Sequence, residues 1–406
     1  MGYSVMDLGS AKHLVAAVTP QVRGAFREQA REVMSAVREA LEKNRAMTAV
    51  AQTVFLRDPG DRAECERLLE AFYGARPPVI SFVSQQPCSG AALAAEIWAI
   101  GGDHVRAEQT GLTGIGGQRA VAVSHGGLRW VWCEGSASAP AGDAYGQTLS
   151  VLGQMRAALE GAGTGFGHVV RTWFYLGGIT EPEAGSQRYE HLNRSRSDFY
   201  SGIRFHPSLD AVLVRDQAVR DQAGRGRVFP ASTGIGMAGG GLAAGCMALE
   251  FSDGETALLP LENPLQTPAY DYHCGCSAQS PEFSRAMALL HGDTVMIWIS
   301  GTASIVRAES LHPEDVEKQT EQTIENIEKL ISRENFALHG AEGAGASLSD
   351  LAAVRVYVKR PEDFDRCRAV CERLLSGVPA IYTVADVCRP ELLVEIEAVA
   401  FSRRLP

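Results

Sequence analysis

Glu395 and Glu397 lie in the segment PELLVEIEAVAF (390–401), where eight of twelve residues are apolar. In a strand, successive side chains point to opposite faces. Leu392, Val394, Ile396, Ala398 and Ala400 then form one apolar face, and both glutamates share the other with Leu393, Val399 and Phe401. Glutamate is mostly a surface residue, so one reading is the solvated face of an antiparallel sheet. The other is a cavity wall, where burial and a neighbouring negative charge raise a carboxyl's proton affinity. Carboxyls perturbed in that way concentrate at functional sites. A second constellation lies upstream in VRVYVK, where Arg355 and Tyr357 share a strand face. Arg grips a carboxylate through two parallel hydrogen bonds and Tyr can add a third; the other reading of Arg355 is stacking on a neighbour or pairing with Asp.

Other chemistry finds little support. No Ser-His-Asp or Cys-His pairing stands out, and the ten histidines are dispersed. HCGC (273–276) lacks C-x-x-C spacing and a second ligand pair, so no metal is expected. GIGMAGGGLAAG (234–245) lacks the ordered G-x-G-x-x-G of a nucleotide loop. No cofactor is implied.

The elements that must position these residues belong to a chain of 406 residues, long enough for two or three domains. It is 45% hydrophobic and 21% charged, an ordinary globular composition. The formal net charge of -10 argues against general nucleic-acid binding, so an anionic substrate needs a local cluster of Arg or Lys. No apolar run approaches the roughly 20 residues of a membrane span, and neither a secretory signal nor a myristoylation pattern opens the chain. A cytoplasmic location is the default expectation, consistent with nine cysteines, an odd number suited to reduced thiols.

The chain repeats itself. GLRWVWCEGSAS (127–138) resembles DTVMIWISGTAS (293–304), and each precedes a segment with helical periodicity. HVVRTWFYLGGI (168–179) and LAAVRVYVKRPED (351–363) follow, each a strand with Arg and then an aromatic residue two positions on. A second helix, a strand opening Pro-Ala and a closing strand complete each copy. A partial copy stands at the front: an amphipathic helix over 19–44, then a strand, turn and helix over 48–72, then a strand pair over 77–100. Glu96 falls where Glu397 does, and this copy is expected to lack the opening hairpin. The expected fold is α+β: tandem repeats of mixed sheets with two helices on one face, arranged with pseudo-threefold symmetry. The units are placed at 1–103 (partial), 104–258 and 259–406, the last carrying the two-Glu strand. Sites are expected between copies.

The unit resembles the Rid/YjgF family through ISGTAS, VRVYVKRPEDF, the Pro-Ala strand and VEIEAVAF. Many members hydrolyse enamines and imines, using an Arg as the third residue of the Pro-Ala strand. Here that residue is Ile381, with Ser232 and Val79-Ile80 in the other copies, so simple deaminase activity is in doubt. From about Pro77 onward the chain more closely resembles the chorismatases, in PPVISFV, VVRTWFYLGGI, FPASTGIG, SPEFSRAM, WISGTAS and CRPELLVEIEA. The resemblance implies removal of pyruvate from chorismate, a dianion with an enolpyruvyl ether whose methylene carbon must be protonated by a positioned acid.

It selects Glu395 as that acid, seven residues after Cys388, and leaves Glu397 to shape its surroundings. Arg355 and Tyr357 are candidates for a substrate carboxylate, and Tyr382 for a neutral donor in place of the missing Arg. Arg171 is placed as the counterpart of Arg355 in the middle copy, a weaker candidate. Gly301 and Cys388 resemble the branch that forms 3-hydroxybenzoate; Gly leaves room for the ring, and Cys is a weak proton donor or acceptor. The alternatives are a hydrolase giving a dihydroxycyclohexadiene carboxylate, an imine deaminase, and a non-catalytic metabolite-binding scaffold. The expected partner is chorismate, without nucleic acid or membrane. The chain is expected to be a monomer mimicking a trimer or a homo-oligomer.

Overall fold

The structure, a computed structural model, describes all residues except 45–46, 112–118, 139–141, 206–227, 253, 255, 273–279 and 406. HCGC therefore lies outside the described residues. Three α+β units follow one another. In the first, strands β1 (Gly2–Asp7) and β2 (Lys12–Val18) precede helix α1 (Phe26–Lys43), β3 (Met47–Leu56), α2 (Arg62–Tyr73), β4 (Val79–Val83) and β5 (Leu93–Gly101). The second runs β6 (Arg106–Gly111), β7 (Arg119–His125), β8 (Leu128–Ala137), α3 (Ala144–Gly161) and β9 (Val169–Gly177). A short hairpin, β10 (Pro182–Glu183) and β11 (Ser186–Gln187), leads to α4 (Arg188–Tyr200), β12 (Ala231–Met237) and β13 (Leu242–Phe251). The third has β14 (Thr256–Leu261), β15 (Ala286–His291), β16 (Thr294–Ala303) and a second short hairpin, β17 (Ile305–Val306) and β18 (Glu309–Ser310). Then come α5 (Val316–Ile331), α6 (Arg333–Leu338), β19 (Leu351–Val358), α7 (Phe364–Leu374), β20 (Ala380–Val384) and β21 (Val394–Arg403). The third sheet thus begins at Thr256, inside the segment first assigned to the middle unit.

The sheet orders are β1-β2-β5-β3-β4, β6-β7-β8-β13-β9-β12 and β14-β15-β16-β21-β19-β20. β4, which follows Pro77-Pro78, and β12 and β20, which start at a Pro-Ala, each pair parallel to their neighbour, and the other neighbours within these sheets are antiparallel. The expected absence of an opening hairpin in the first copy is corrected: β1 and β2 form one, turning at Gly9 with φ +80°. What the first unit lacks is the outermost sixth strand. KHLVAAV lacks the small-residue motif that marks β8 and β16, so the repeat gives no sign of this hairpin.

Each unit has a helix-side core of its own, around Val33 and Leu69 in the first, Leu152 and Phe174 in the second, and Ile327 and Val356 in the third. The opposite sheet faces meet in one shared core, which includes Val15 and Trp98, Trp130 and Met247, and Leu289 and Trp298. Helices outside and three sheets inside give the pseudo-threefold arrangement. No helix among the described residues is long and apolar enough to cross a membrane.

The closing strands β5, β13 and β21 each pass a bulge in the neighbouring strand, at Val50, Val170 and Ala352. Such bulges give a common origin for counting. Glu96, Gly245 and Glu397 occupy one register position, opposite Thr53, Trp173 and Arg355; two residues further along, Ala94, Ala243 and Glu395 occupy the next on that face. Arg171 stands directly after its bulge, two residues short of the place held by Arg355, so the two are not equivalent. Sequence alignment without bulges could not count that offset.

One end of the shared core carries a buried histidine pair. Trp98 Nε1 donates to His13 Nδ1 (3.2 Å), so His13 carries its proton on Nε2 and gives it to Nε2 of His125 (3.0 Å). His125 Nδ1 then meets Ser10 Oγ at 3.0 Å. Burial, with the repulsion of His125, holds His13 well below its ordinary value; burial, with His291 nearby, lowers His125 to about 4. The unfolded chain takes up these protons as pH falls through roughly 6.5, before the folded protein does. The stability from this pair is therefore complete above about pH 6.5 and declines toward pH 4. Urea unfolding midpoints should fall across that window, and more shallowly in His125→Gln.

Candidate functional site

The residue that shapes the site is Gly301. Across β16 and β21, Ile299 pairs with Ala398 and Thr302 with Ile396, so Ser300 and Gly301 together oppose Glu397 in a bulge. The bulge sits on the seam with the second unit: Gly301 N donates to Thr233 Oγ1 (3.0 Å) and Ser232 N to Ser300 Oγ (2.9 Å). A Cβ at position 301 would lie 3.0 Å from Glu395 Cδ and 3.2 Å from Thr233 Cγ2. The Glu395 carboxyl occupies the space a side chain would need.

Glu395 faces a cavity of about 970 Å³ between the second and third units. It is 5% exposed, and no hydrogen bond to a described residue holds its carboxyl. Burial pushes the carboxyl up to about 8, Glu397 reinforces the rise, and Arg171 and Arg285 oppose it. The group is thus mostly protonated at neutral pH. Cys388, on the loop before β21, lines the same cavity; burial and the charge of Glu395 push its thiol up to about 12, so it is a neutral thiol there.

Three arginines line the cavity walls. Tyr189, Asn193 and Arg196 lie four and three residues apart on α4, the spacing of one helical face. Arg196 is 1% exposed, donates to Asn193 Oδ1 (2.8 Å), and leaves its Nε without a partner. Arg285, just before β15, donates to the Tyr272 hydroxyl and to Thr267 O (3.1 Å), and its Nε is also unpartnered. Arg389 donates to Ala308 O (2.9 Å) and lies 5.4 Å from the Tyr272 ring centre, so Tyr272 contacts two guanidiniums. Among the described residues, none of the three arginines pairs with an acid. Gly234 lets the Tyr189 ring approach; a Cβ there would stand 3.1 Å from it. Glu190 is the other carboxylate on the wall.

The residues expected from sequence therefore divide. Glu395, Cys388 and Gly301 meet in this cavity. Arg355, Tyr357 and Glu397 do not line it; they belong to a separate cluster on the pseudo-threefold axis. Arg355 donates Nε and Nη2 to Glu96 (3.0 and 2.5 Å) and Nη1 to the Tyr175 hydroxyl (2.6 Å), with Glu397 Oε1 at 3.0 Å. Tyr357 donates to Glu397 Oε1 (3.0 Å), while Arg171 and the Thr233 hydroxyl both donate to Oε2. Tyr382 packs on Phe364 of the outer helix, 5.5 Å between ring centres, beside Cys371. Sequence reasoning missed Arg196, Arg285 and Arg389. RYEHLNRSR reads as a solvated helix face, and only the Tyr189, Asn193, Arg196 spacing hinted otherwise. No group of described residues is arranged to hold a metal ion.

Comparison with known proteins places this geometry in context. Residues 278–402 match the family described as Endoribonuclease L-PSP. A 3-hydroxybenzoate synthase of Streptomyces hygroscopicus is 33% identical over 311 residues, spanning 75% of this chain and 81% of the relative. A chorismatase of Streptomyces rapamycinicus is 32% identical over 285 residues, 68% of this chain and 78% of its own. A chorismatase crystal structure superposes over 98% of this chain and 99% of its own, with a TM-score of 0.63 and 22% identity, which supports the fold. At that identity and coverage, the chain belongs to the chorismatase family, built on the Rid/YjgF-like fold.

Proposed function

We propose that this protein converts chorismate to 3-hydroxybenzoate and pyruvate, with Glu395 protonating the methylene carbon of the enolpyruvyl ether. The observation that carries the reading is a buried carboxyl, free of hydrogen bonds to described residues, in a cavity with three guanidiniums that pair with no described acid; burial raises that carboxyl's hold on its proton. A dianion supplies the charge that Arg196, Arg285 and Arg389 lack. A carboxyl that keeps its proton near neutral pH is suited to general acid catalysis, because its affinity lies close to the working pH. The substrate's own negative charge presses the same way. We assign the substrate carboxylates to these three arginines and give Arg355 and Tyr357 the task of holding Glu397. Tyr382 takes a packing role.

Proton transfer turns the vinyl ether into an oxocarbenium ion. Water adding to that ion gives a hemiketal that collapses to pyruvate and leaves the ether oxygen on the ring as a second hydroxyl, which is the dihydro acid. In the water-free route the ring C–O bond breaks and the ether oxygen leaves as the pyruvate carbonyl. The neighbouring hydroxyl oxygen moves to that ring carbon, and loss of one ring proton restores the proton spent by Glu395 and makes the ring aromatic. Chorismate equals 3-hydroxybenzoate plus pyruvate with no net water, whereas the dihydroxycyclohexadiene carboxylate takes up one water. Product choice therefore depends on how the ring sits against Gly301 and Cys388. The absent side chain at 301 and the neutral thiol at 388 support the aromatic product, and the dihydro acid is the alternative.

Glu395→Gln should lower kcat by about 10²–10⁴-fold, the usual contribution of a positioned acid. Chorismate affinity, read by calorimetry, should change far less; equal losses in binding and turnover would remove the donor role. In the wild type, kcat/KM for pyruvate release should be level below neutral pH and fall above about pH 8 as Glu395 ionises. Gly301→Ala places a methyl against the carboxyl, so both turnover and the ratio of aromatic to dihydro product should drop, as resolved by chromatography. An unchanged ratio defeats the part given to Gly301.

A further inference from the structure

Among the described residues, the first unit contributes none to the Glu395 cavity. It does contribute Glu96 to the axial cluster, which lines its own cavity of about 700 Å³. We propose that Glu96 is a positioning residue for Glu395, acting across the pseudo-threefold axis through Arg355 and Glu397. The inference rests on the donor role proposed for Glu395.

The geometry is a chain of four charges. Arg355 lies between two carboxylates supplied by different units. Its Nε and Nη2 fork onto Glu96 (3.0 and 2.5 Å), and Nη2 also reaches Thr53 Oγ1 (3.2 Å). Only Nη1 remains, shared between the Tyr175 hydroxyl at 2.6 Å and Glu397 Oε1 at 3.0 Å. Glu397 takes Arg171 on its other oxygen. Two guanidiniums and two carboxylates thus balance in a buried setting where charge is weakly screened. The register adds an independent observation. Glu96 and Glu397 hold the same strand position in their units, the second unit has Gly245 there, and the two carboxylates kept are the two that bracket Arg355.

Glu397 lies two residues from Glu395 on one strand face, and its charge helps Glu395 keep its proton. The other groups around Glu395 are Arg285 before β15, Arg171 on β9, Cys388 and Arg389 on the loop before β21, and Tyr189, Glu190 and Arg196 on α4. Around Glu397 stand Arg171, Arg355, Tyr357, Thr233 and Tyr175. Removing the charge of Glu96 leaves the cluster one positive charge in excess. Arg355 is then free to turn onto Glu397, the pressure on Glu395 falls, and Glu395 gives up its proton at lower pH.

The test reads Glu395 directly. The carboxyl band that disappears in Glu395→Gln is followed by infrared difference spectroscopy against pH, without substrate, in the full chain. Glu96→Gln should lower its titration midpoint by about one unit, while Glu96→Asp, which keeps the charge, should stay near the wild type. With chorismate, Glu96→Gln should fall within twofold of the wild type at pH 6 and about tenfold below it at pH 9, the ratio set by a one-unit shift. Glu96→Gln/Arg355→Gln, neutral again as a pair, should move the midpoint back up. A midpoint that does not move in Glu96→Gln, or a loss of turnover equal at all pH values, overturns the coupling. A midpoint that moves in a protein releasing no pyruvate supports the coupling and overturns the donor role on chorismate instead.

Discussion

Much of the site depends on one steric fact: the Glu395 carboxyl fills the volume where a side chain at position 301 would begin. That contact exists because β16 bulges at Ser300 and Gly301 opposite a single residue of β21. The bulge is held from outside its own unit, by Thr233 and Ser232 on β12. The Glu395 carboxyl is therefore set by the seam between two units, and a local change in how the second unit docks would move it. A backbone bulge re-aims side chains without changing the alternation of the strand, which is how a mostly apolar strand presents a carboxyl to a cavity.

The two glutamates of VEIEAVAF share a face and have different surroundings. Glu397 receives hydrogen bonds from Arg171, Thr233 and Tyr357 and sits beside Arg355. Glu395 receives none from the described residues and is buried with cations that are turned toward other partners. One carboxylate is fixed in place by these neighbours, and its charge reinforces the rise that burial imposes on Glu395. Environments that push two titratable groups apart assign them different roles. Leaving a guanidinium buried without an acid costs stability, so Arg196 and Arg285 are arranged at some expense to the fold. Their neutral partners, Asn193 and Tyr272, keep them in place without cancelling their charge.

The repeated unit, its helices and most of its strands were legible because period-two runs and small-residue motifs recur at matching distances. Glu395, Gly301 and Cys388 were legible through motif resemblance, and the structure brings those three together. The basic half of the cavity was not. Arg196, Arg285 and Arg389 come from a helix, a strand entry and a loop, in segments whose periodicity says nothing of what they face. Arg355 was legible as a residue able to grip carboxylates, and it does grip them; they are those of Glu96 and Glu397. Choosing between a substrate and a protein carboxylate needs the register across three units, and the bulges at Val50, Val170 and Ala352 hide that register from a linear alignment.

Three similar seams come from three copies, and one of them carries the Glu395 carboxyl. At the position of Glu395 the other copies have Ala94 and Ala243, which lie in one apolar cluster with Phe55, Val83, Tyr175, Ile235 and Tyr357. A large cavity forfeits packing and a buried carboxyl forfeits hydration. Both costs meet at the Glu395 position of the second–third seam, while apolar contacts fill the matching positions of the other two copies. In a trimer of identical subunits every seam would carry the same residues, so each would share the same compromise between packing and chemistry. Fusing the copies into one chain lifts that constraint. It lets Glu96 in the first unit stay as a charge partner while its neighbour Ala94 serves only the core, and it places a scaffold of three units behind a single protonated carboxyl.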